Sequence, residues 1–513
     1  MSKLKVIIGA IAALVLVGGG VAGAYEVKNS ILFKDGNEVV TEAIKDFALR
    51  EEETALEKAL STKKLTENIK EKGAEGEFSL QVNSIGEESA KVLEGLQGEI
   101  NFASDVENKK NYAKISGTYA GVSADIENYA DSEKLQIGSS LLDGKVLQLA
   151  YADGNLMDKL KNSPVFGAYM EGMDDAQLQE MEKYLANFQD IIQKGFEEAE
   201  TPEDVKELEK IFEDFKNNWE IEKTDKKEFT VNDKEKKYQG YEVVISKENI
   251  ASLTDALIDW TVKETENNTF LKAYLELISV QAAGLTEEEM SENLDKAKEE
   301  IRTLLEDNVE DVILNVYVTH YGKLVAIEAE AEVQEQKYEV SVKCLGGQAI
   351  YSNMEIEFTC DIEGTEVGAV VEFTEDKDGS VITNEVALKV KSGATVELGS
   401  VEFSYDTKSD EFEGSIVPGK MLVGVGTDFK VVFSGEVEEY KAGSVIDMNF
   451  DEITVNYNGQ NLLSCSGGYA LRIVEDVKEL SGESMDVLSM DEMQWMELSS
   501  LLMEKLQGLQ NLQ

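Results

Sequence analysis

The sequence predicts an α+β protein. We expect a large, curved antiparallel β-meander, half-barrel-like, packed on inserted amphipathic helices and preceded by an N-terminal transmembrane or signal segment. Apolar and polar residues alternate over most of residues 311–475 and part of 75–151, which is the period of a half-buried strand. Between these blocks, apolar residues recur at helical spacing. Because an alternating sheet has one apolar face, that face must curl onto itself or onto helices.

The N-terminus carries an export signal with two open interpretations. Lys3 and Lys5 precede an uncharged stretch at residues 6–25. As a transmembrane helix, this stretch has about the 20 residues needed to cross a bilayer, and the lysines before it place the body outside. As a signal peptide, it would be cleaved near Ala24, after which the chain is secreted. Both interpretations place the chain from Glu26 onward outside the cytoplasm, and the first makes the cytoplasmic membrane a partner.

The remaining chain divides into segments by its hydrophobic period. Residues 38–60 have charges around a spaced set of apolar residues, which predicts one amphipathic helix that either packs under the body or acts as a stalk. The predicted segments are the anchor or signal peptide (1–25), the amphipathic helix or stalk (26–73), a β-meander with helical insertions (74–310), an antiparallel β-meander (311–480) and a C-terminal helix (481–513).

Turn residues punctuate the predicted strands. Hairpin-type pairs occur at Asp143-Gly144, Asp153-Gly154, Tyr321-Gly322, Asp378-Gly379 and Asn458-Gly459. The acidic run at residues 375–380 lacks the ligand spacing and closing Glu of a calcium loop, so we interpret it as a hairpin turn.

Two helix starts carry a full N-terminal signature. Thr286 with Glu289 forms one predicted capping box, and Ser489 with Glu492 forms the other. Leu488 and Met493 would be the hydrophobic staple of the C-terminal helix.

The C-terminal helix supplies the candidate site residues. Its broad apolar face includes Met493, Trp495, Met496 and Leu502. Because methionine adapts to irregular surfaces, this face is a candidate contact for an apolar ligand or a partner helix. The other interpretation is a terminal helix that caps the core.

Composition excludes several classes of function. The chain has 102 acidic and 49 basic residues, a formal net charge of -53. This charge repels phosphate, so nucleic acid is not an expected partner. His320 is the only histidine, and no serine lies in a G-x-S-x-G elbow. No phosphate-binding glycine loop occurs between a strand and a helix. We therefore expect no cofactor, no metal site, no catalytic residues and no enzyme activity.

The three cysteines fall within strand-like patterns. Cys344, Cys360 and Cys465 are interpreted as small buried hydrophobes. A Cys344–Cys360 disulfide is the alternative in an exported protein, and it would leave Cys465 unpaired. None of them follows the N-terminal apolar stretch, so a lipoprotein anchor is not predicted.

The order of these features resembles that of membrane-anchored extracellular proteins of Gram-positive bacteria. A basic Ser2-Lys3-Leu4-Lys5 start and an apolar span are followed by an amphipathic helix and a β-meander with helical insertions. In pattern alone, the chain is also similar to half-barrel lipid and lipoprotein carriers of bacterial envelopes. That resemblance implies a curved sheet wrapped around helices and an apolar cavity.

Two functional hypotheses follow. The first is a non-catalytic envelope protein that holds a lipid or another apolar ligand in its curved sheet. The second is a structural or protein-interaction module on the cell surface, with an envelope protein as its partner. An exposed apolar patch over a filled core would favour the second.

Overall fold

The structure is a computed structural model. It describes residues 34–49, 53–152, 156–174, 177–179, 181–182, 185, 202–267, 296, 299–300, 302–303, 310–333, 336–347, 351–362, 365–418 and 429–510. The predicted export segment and the Thr286–Glu289 capping box lie outside these residues. Within the described part of the chain, no helix combines the length and apolar character needed to cross a bilayer.

Twenty strands form one curved sheet. They are β1 (Gly73–Ile85), β2 (Gln97–Asp105), β3 (Lys110–Tyr119), β4 (Val122–Ala130), β5 (Lys134–Gly138), β6 (Lys145–Ala150), β7 (Glu220–Val231), β8 (Lys234–Ile245), β9 (Val312–Val318), β10 (Leu324–Val333), β11 (Gln336–Gly346), β12 (Asn353–Ile362), β13 (Thr365–Asp378), β14 (Val381–Ser392), β15 (Ala394–Asp406), β16 (Glu411–Val417), β17 (Phe429–Lys441), β18 (Val445–Tyr457), β19 (Gln460–Ile473) and β20 (Glu483–Asp486).

The described helices lie before, between and after these strands. They are α1 (Gly36–Leu49), α2 (Ala55–Leu60), α3 (Thr62–Lys72), α4 (Leu156–Lys161), α5 (Phe166–Met170), α6 (Pro202–Asn217), α7 (Lys247–Asn267) and α8 (Glu492–Gln510), with short 3₁₀ turns at Glu88–Leu93 and Ser140–Leu142.

From β7 to β19 the sheet is a meander in which each strand pairs antiparallel with the next, and α7 is inserted between β8 and β9. The early strands then join its far end, because β1 pairs with both β19 and β2. The order continues through β6 to β20, which pairs parallel with β6. Strands β7 and β20 are thus the edges of a sheet that does not close among the described residues. The predicted antiparallel β-meander is confirmed.

Register gives the sheet one continuous apolar side, which we call the inner face. Directly paired residues point to the same side of a sheet. One such row crosses seven strands: Val437, Met448, Tyr469, Phe78, Ile100, Ile115 and Ile126. The opposite side is the outer face.

Three groups of helices cover parts of the inner face. Helices α1, α6 and α7 bury Val40, Phe212 and Leu253 against β8–β12, in a core that includes Val243 and Val316. Helices α2 and α3 bury Leu60 and Leu65 against β15–β19 in a second cluster. Helix α8 covers β6 through Leu498, while α4 packs on β5 and β6 through Leu156.

A strap of chain at residues 474–482 covers part of the outer face. After β19, Val474 and Val477 pack on Tyr129 of β4. The side-chain amide oxygen of Gln136 accepts a hydrogen bond from the backbone N–H of Leu480 at 3.1 Å. This strap carries the chain across β2–β5 to reach β20.

The single helix predicted over residues 38–60 is wrong. The chain forms α1, which ends at Leu49, and α2, which begins after Thr54. Thr54 and Glu57 form a capping box, and the buried Glu375 carboxylate accepts hydrogen bonds from the Ala55 and Leu56 N–H groups at 2.7 and 3.3 Å. A second helix begins here because these acceptors satisfy its first amides.

The capping box predicted for the C-terminal helix is also wrong. The cap is Asp491, whose carboxylate accepts from the Gln494 N–H at 2.9 Å, and the Gln494 side chain accepts from the Asp491 N–H at 2.9 Å. Met490, rather than Leu488, packs in the same cluster as Trp495 and completes the staple. Ser489 donates its hydroxyl to Asp486 instead.

Four of the five predicted turn pairs lie in the described residues, and each contains a glycine in a turn conformation. The turn pairs at residues 143–144, 321–322, 378–379 and 458–459 lie between strands or beside a 3₁₀ turn, and the glycine of each has a positive φ angle. Asp153-Gly154 lies outside the described residues. None of the three cysteines is in a disulfide; Cys344 and Cys465 are buried and Cys360 is half-buried. The Cys344–Cys360 disulfide is therefore not formed.

Candidate functional site

Part of the inner face is not covered by any helix that the structure describes. Five apolar side chains on β1–β4 keep 41–57% of their surface exposed, which is unusual for residues of this size in a row. We call these residues the open apolar stripe: Phe78, Ile100, Phe102, Ile115 and Ile126.

Strand register builds the stripe. Phe78 pairs with Ile100, Ile100 with Ile115, and Ile115 with Ile126. Phe102 lies across from Gly76, where an added Cβ atom would come within 2.3 Å of the phenyl ring. Glycine at residue 76 therefore lets this ring lie flat over the neighbouring strand.

The inner face around the stripe carries no charge. Its described positions on β1–β4 are Ala74, Gly76, Phe78, Leu80, Val82, Gly98, Ile100, Phe102, Ser104, Asn111, Ala113, Ile115, Gly117, Tyr119, Val122, Ala124, Ile126, Asn128 and Ala130. The chain has a net charge of -53, so a four-strand surface without one charged residue differs markedly from the composition of the chain as a whole. Such a surface favours an uncharged occupant.

A second uncovered patch lies on the same face of β14–β16. Val386 pairs with Val401, which pairs with Ile416, and all three side chains are exposed. Leu388 and Val396 extend the patch. Both patches lie where the described helices do not cover the inner face.

The structure separates the four residues predicted on the C-terminal helix. Trp495 and Leu502 pack toward Leu142 and Leu498, and the Trp495 ring meets Phe166 edge-on at a centroid distance of 6.1 Å. Met493 and Met496 point away and are 66% and 60% exposed. The helix caps a core cluster with one side and presents methionines on another, so the four do not form one site.

Sequence reasoning missed the stripe. Its signal was present as alternation at residues 98–102, 113–117 and 124–128, which predicted a buried face. The alternation identifies the apolar side of a strand, but whether a helix covers that side depends on tertiary packing.

The outer face of the same strands is polar and ion-paired. The Lys114 ammonium lies 3.0 Å from the Asp125 carboxylate, and this hydrogen bond raises the pKa of Lys114. Burial acts to raise the pKa of Asp125, but hydrogen bonds from Ser140 and Lys114 outweigh it, and the pKa is lowered. Burial and the neighbouring Glu127 raise the pKa of Tyr112 to about 12. At neutral pH Lys114 and Asp125 are charged and Tyr112 keeps its proton, so none of the three is poised to exchange a proton.

The described residues contain no group of three or more His, Cys, Asp or Glu side chains arranged to hold a metal ion. The stripe itself carries neither nucleophile nor base. Its chemistry is the removal of apolar surface from water, which suits binding.

Comparisons with known proteins give no family. No protein-family model matches the sequence, and no curated protein matches it. Among solved structures, the outer membrane protein OpdK of Pseudomonas aeruginosa is 6% identical, with a TM-score of 0.19 over 78% of this chain and 98% of that one. OccAB4 of Acinetobacter baumannii is 7% identical, with a TM-score of 0.14 over 78% and 97%. Likeness at this level carries no inference about fold or function.

Proposed function

We propose that the protein is a non-catalytic, extracytoplasmic envelope protein that holds a lipid chain against its open apolar stripe. The observation that supports this most directly is the stripe itself: five exposed apolar side chains on four paired strands, on a face without charge. The stripe belongs to none of the helix-packed core clusters, so it is an open inner surface rather than a patch over a filled core. Covering such side chains gains roughly 25 cal/mol for each Å² of apolar surface removed from water.

The chemistry of the stripe favours an aliphatic chain as its occupant. Its residues offer no hydrogen-bond donor or acceptor on their side chains. From Tyr469 to Ile126 the row crosses four strand spacings, or roughly 19 Å. One leaflet of a bilayer is about 15 Å thick, so an acyl chain is of comparable length. The net charge of -53 disfavours an anionic headgroup.

The proposed compartment rests on the N-terminal sequence. The lysines at positions 3 and 5 and the uncharged residues 6–25 would anchor the chain in the cytoplasmic membrane, or direct its secretion, with the body outside. An anchored body would lie beside a source of lipid chains. Digestion of intact cells by an added protease tests this placement; protection of the body from the protease would contradict it.

The lipid hypothesis is tested with the double substitution Ile115→Thr and Ile126→Thr. Threonine keeps the branched β-carbon that suits a strand but adds a hydroxyl and removes apolar surface. The probe is a pyrene-labelled monoacylglycerol below its micelle concentration. We expect the wild-type protein to bind it and the double variant to lose about tenfold in affinity, or ~1.4 kcal/mol.

A matched control is available on the other side of the sheet. Ile313 is 39% exposed and lies on the outer face of β9, so Ile313→Thr should leave binding unchanged. Absence of binding by the wild-type protein, or equal binding by the double variant, would overturn the lipid hypothesis. Concentration-dependent self-association that the double variant abolishes would instead identify the stripe as a protein-interaction surface and would also refute lipid binding.

A further inference from the structure

A recessed groove of about 370 Å³ crosses the outer face of the sheet, on the side opposite the open apolar stripe. We call it the polar groove. Its walls come from β18, β19, β1, β2 and β3. The lining side chains are Ser79, Gln81, Gln97, Glu99, Ser116, Thr118, Asn449 and Ser466.

Two parallel rows of paired residues form the groove. The first runs Asn449, Gly468, Ser79, Glu99, Ser116. The second runs Ser466, Gln81, Gln97, Thr118. The rows are two residues apart along each strand, so polar groups face each other across roughly 7 Å.

Glycine opens the middle of the groove. At Gly468 an added Cβ atom would lie 3.3 Å from the Ser79 hydroxyl and 3.6 Å from the Met448 carbonyl oxygen. The backbone conformation there does not require glycine, but an added Cβ atom would crowd the Ser79 hydroxyl, and its absence leaves space in the first row.

The lining is chemically selective. Seven of its eight side chains are neutral hydrogen-bonding groups, and Glu99 is the only charged one. Elsewhere on the outer face, oppositely charged side chains form ion pairs: Lys343 pairs with Glu355 at 2.6 Å, and Lys391 pairs with Glu357. Without a lysine or arginine in the lining, an anionic ligand would have no partner and would meet the repulsion of the whole chain. Leu80 also borders the groove, but it pairs with Gly98 in an inner-face row, so the outer-facing side chains of the lining are all polar and give a lipid little cover.

The groups offer more hydrogen bonds than they use with one another. The Gln97 amide donates to the Gln81 amide oxygen at 3.2 Å, and the Thr118 and Ser123 hydroxyls share one bond of 2.7 Å. Each amide has two donor hydrogens and an oxygen with two acceptor sites, and each hydroxyl both donates and accepts. Glu99 also accepts a hydrogen bond from the Asn101 amide, and Asn449 and Ser466 donate to Asp451 and Asn83. The donors and acceptors that remain suit a ligand dense in hydroxyl or amide groups.

We infer that the polar groove binds a neutral oligosaccharide that lies across the strands, along the two rows. The groove spans four strand spacings, roughly 19 Å, which fits a chain of several sugar units. Glu99 accepts hydrogen bonds from sugar hydroxyls at its centre, and the amides of Gln81 and Gln97 bind further hydroxyl or acetamido groups. This site is independent of the lipid proposal because it uses the other face of β1–β3.

Calorimetric titration of the full chain with chitohexaose and cellohexaose tests the inference. We expect saturable binding of at least one of them and none of a sulfated heparin hexasaccharide. Gly468→Gln places a side chain in the groove and should weaken binding by at least about tenfold. Ser434→Gln, on the outer face of β17 outside the groove, is the matched control and should bind as the wild-type protein does.

A second variant covers the case in which Gly468→Gln does not fold. The pair Gln81→Ala and Gln97→Ala shortens two exposed side chains and should also abolish most of the affinity. Binding of neither neutral hexasaccharide, binding of the sulfated one alone, or unchanged affinity in a folded groove variant would overturn the inference. The Ile115→Thr and Ile126→Thr variant should bind sugar normally, which separates this outcome from that of the lipid test.

Discussion

At the scale of single residues, a buried polar network ties α1 to the sheet. The Tyr351 hydroxyl donates to the Asp46 carboxylate at 2.8 Å and accepts from the Leu324 N–H at 3.3 Å. The Lys323 ammonium donates to both carboxylate oxygens, at 2.8 and 2.9 Å. Burial, together with the Asp46 charge, raises the pKa of Tyr351 far above its ordinary value, so the phenol keeps its proton as a donor.

Removal of that hydroxyl should measurably destabilise the protein. Tyr351→Phe leaves the Leu324 N–H without this acceptor and the Asp46 carboxylate with one donor fewer, in a buried setting. We expect a loss of about 1–3 kcal/mol in the free energy of unfolding, measured by urea denaturation. Tyr169 is 79% exposed, and Tyr169→Phe should change stability by less than about 0.5 kcal/mol. Equal stability of the two variants would contradict this account.

At the scale of elements, the start of α8 shows that a capping motif in the sequence does not by itself determine the residue at which a helix begins. Residues 489–494 contain two overlapping signatures, Ser489 with Glu492 and Asp491 with Gln494. The structure uses the second, because the Ser489 hydroxyl is bound to Asp486 and a carboxylate also interacts favourably with the helix dipole. The sequence predicted the helix but indicated Ser489 as its cap instead of Asp491, because both residues begin a possible local hydrogen-bond pattern.

The choice of cap can be measured. Asp491→Ala removes the acceptor of the Gln494 N–H, and we expect a cost of about 1 kcal/mol to the start of α8. Hydrogen exchange at the amides of Met493 and Gln494 should accelerate by about fivefold. Ser489→Ala is the control, since its hydroxyl contacts no amide of the helix, and its effect on these amides should be smaller. A larger effect from Ser489→Ala would restore the sequence-based prediction.

At the scale of the whole molecule, the sequence predicted strands better than it predicted their arrangement. Alternation marks the inner-face side of β12, from Met354 to Ile362, because the pattern is local. The pairing of β1 with β19 joins residues almost 400 positions apart, and no periodicity encodes it. The open apolar stripe was missed for the same reason, since exposure of Ile115 depends on where distant helices pack.

Charge is the property of the whole molecule that the sequence states most directly. Because the net charge is -53, many carboxylates repel one another when the chain folds into a compact state. This repulsion lowers the stability of the folded state. The lysine–glutamate pairs on the outer face, such as Lys389 with Glu372, offset only part of it, because acidic residues outnumber basic ones two to one. The stability of the folded state should therefore depend strongly on salt concentration.

We expect the melting temperature to rise when sodium chloride is increased from 0.01 M to 0.15 M. The screening length falls from about 30 Å to about 8 Å over this range, so distant carboxylates cease to repel one another while paired groups keep most of their attraction. Thermal unfolding followed by circular dichroism measures the change. Calcium chloride at matched ionic strength is the control: the described residues contain no clustered metal site, so calcium should act mainly as a screening ion. A much larger rise with calcium would show that ion binding, rather than screening, governs the stability, and a fall with sodium chloride would refute the repulsion argument.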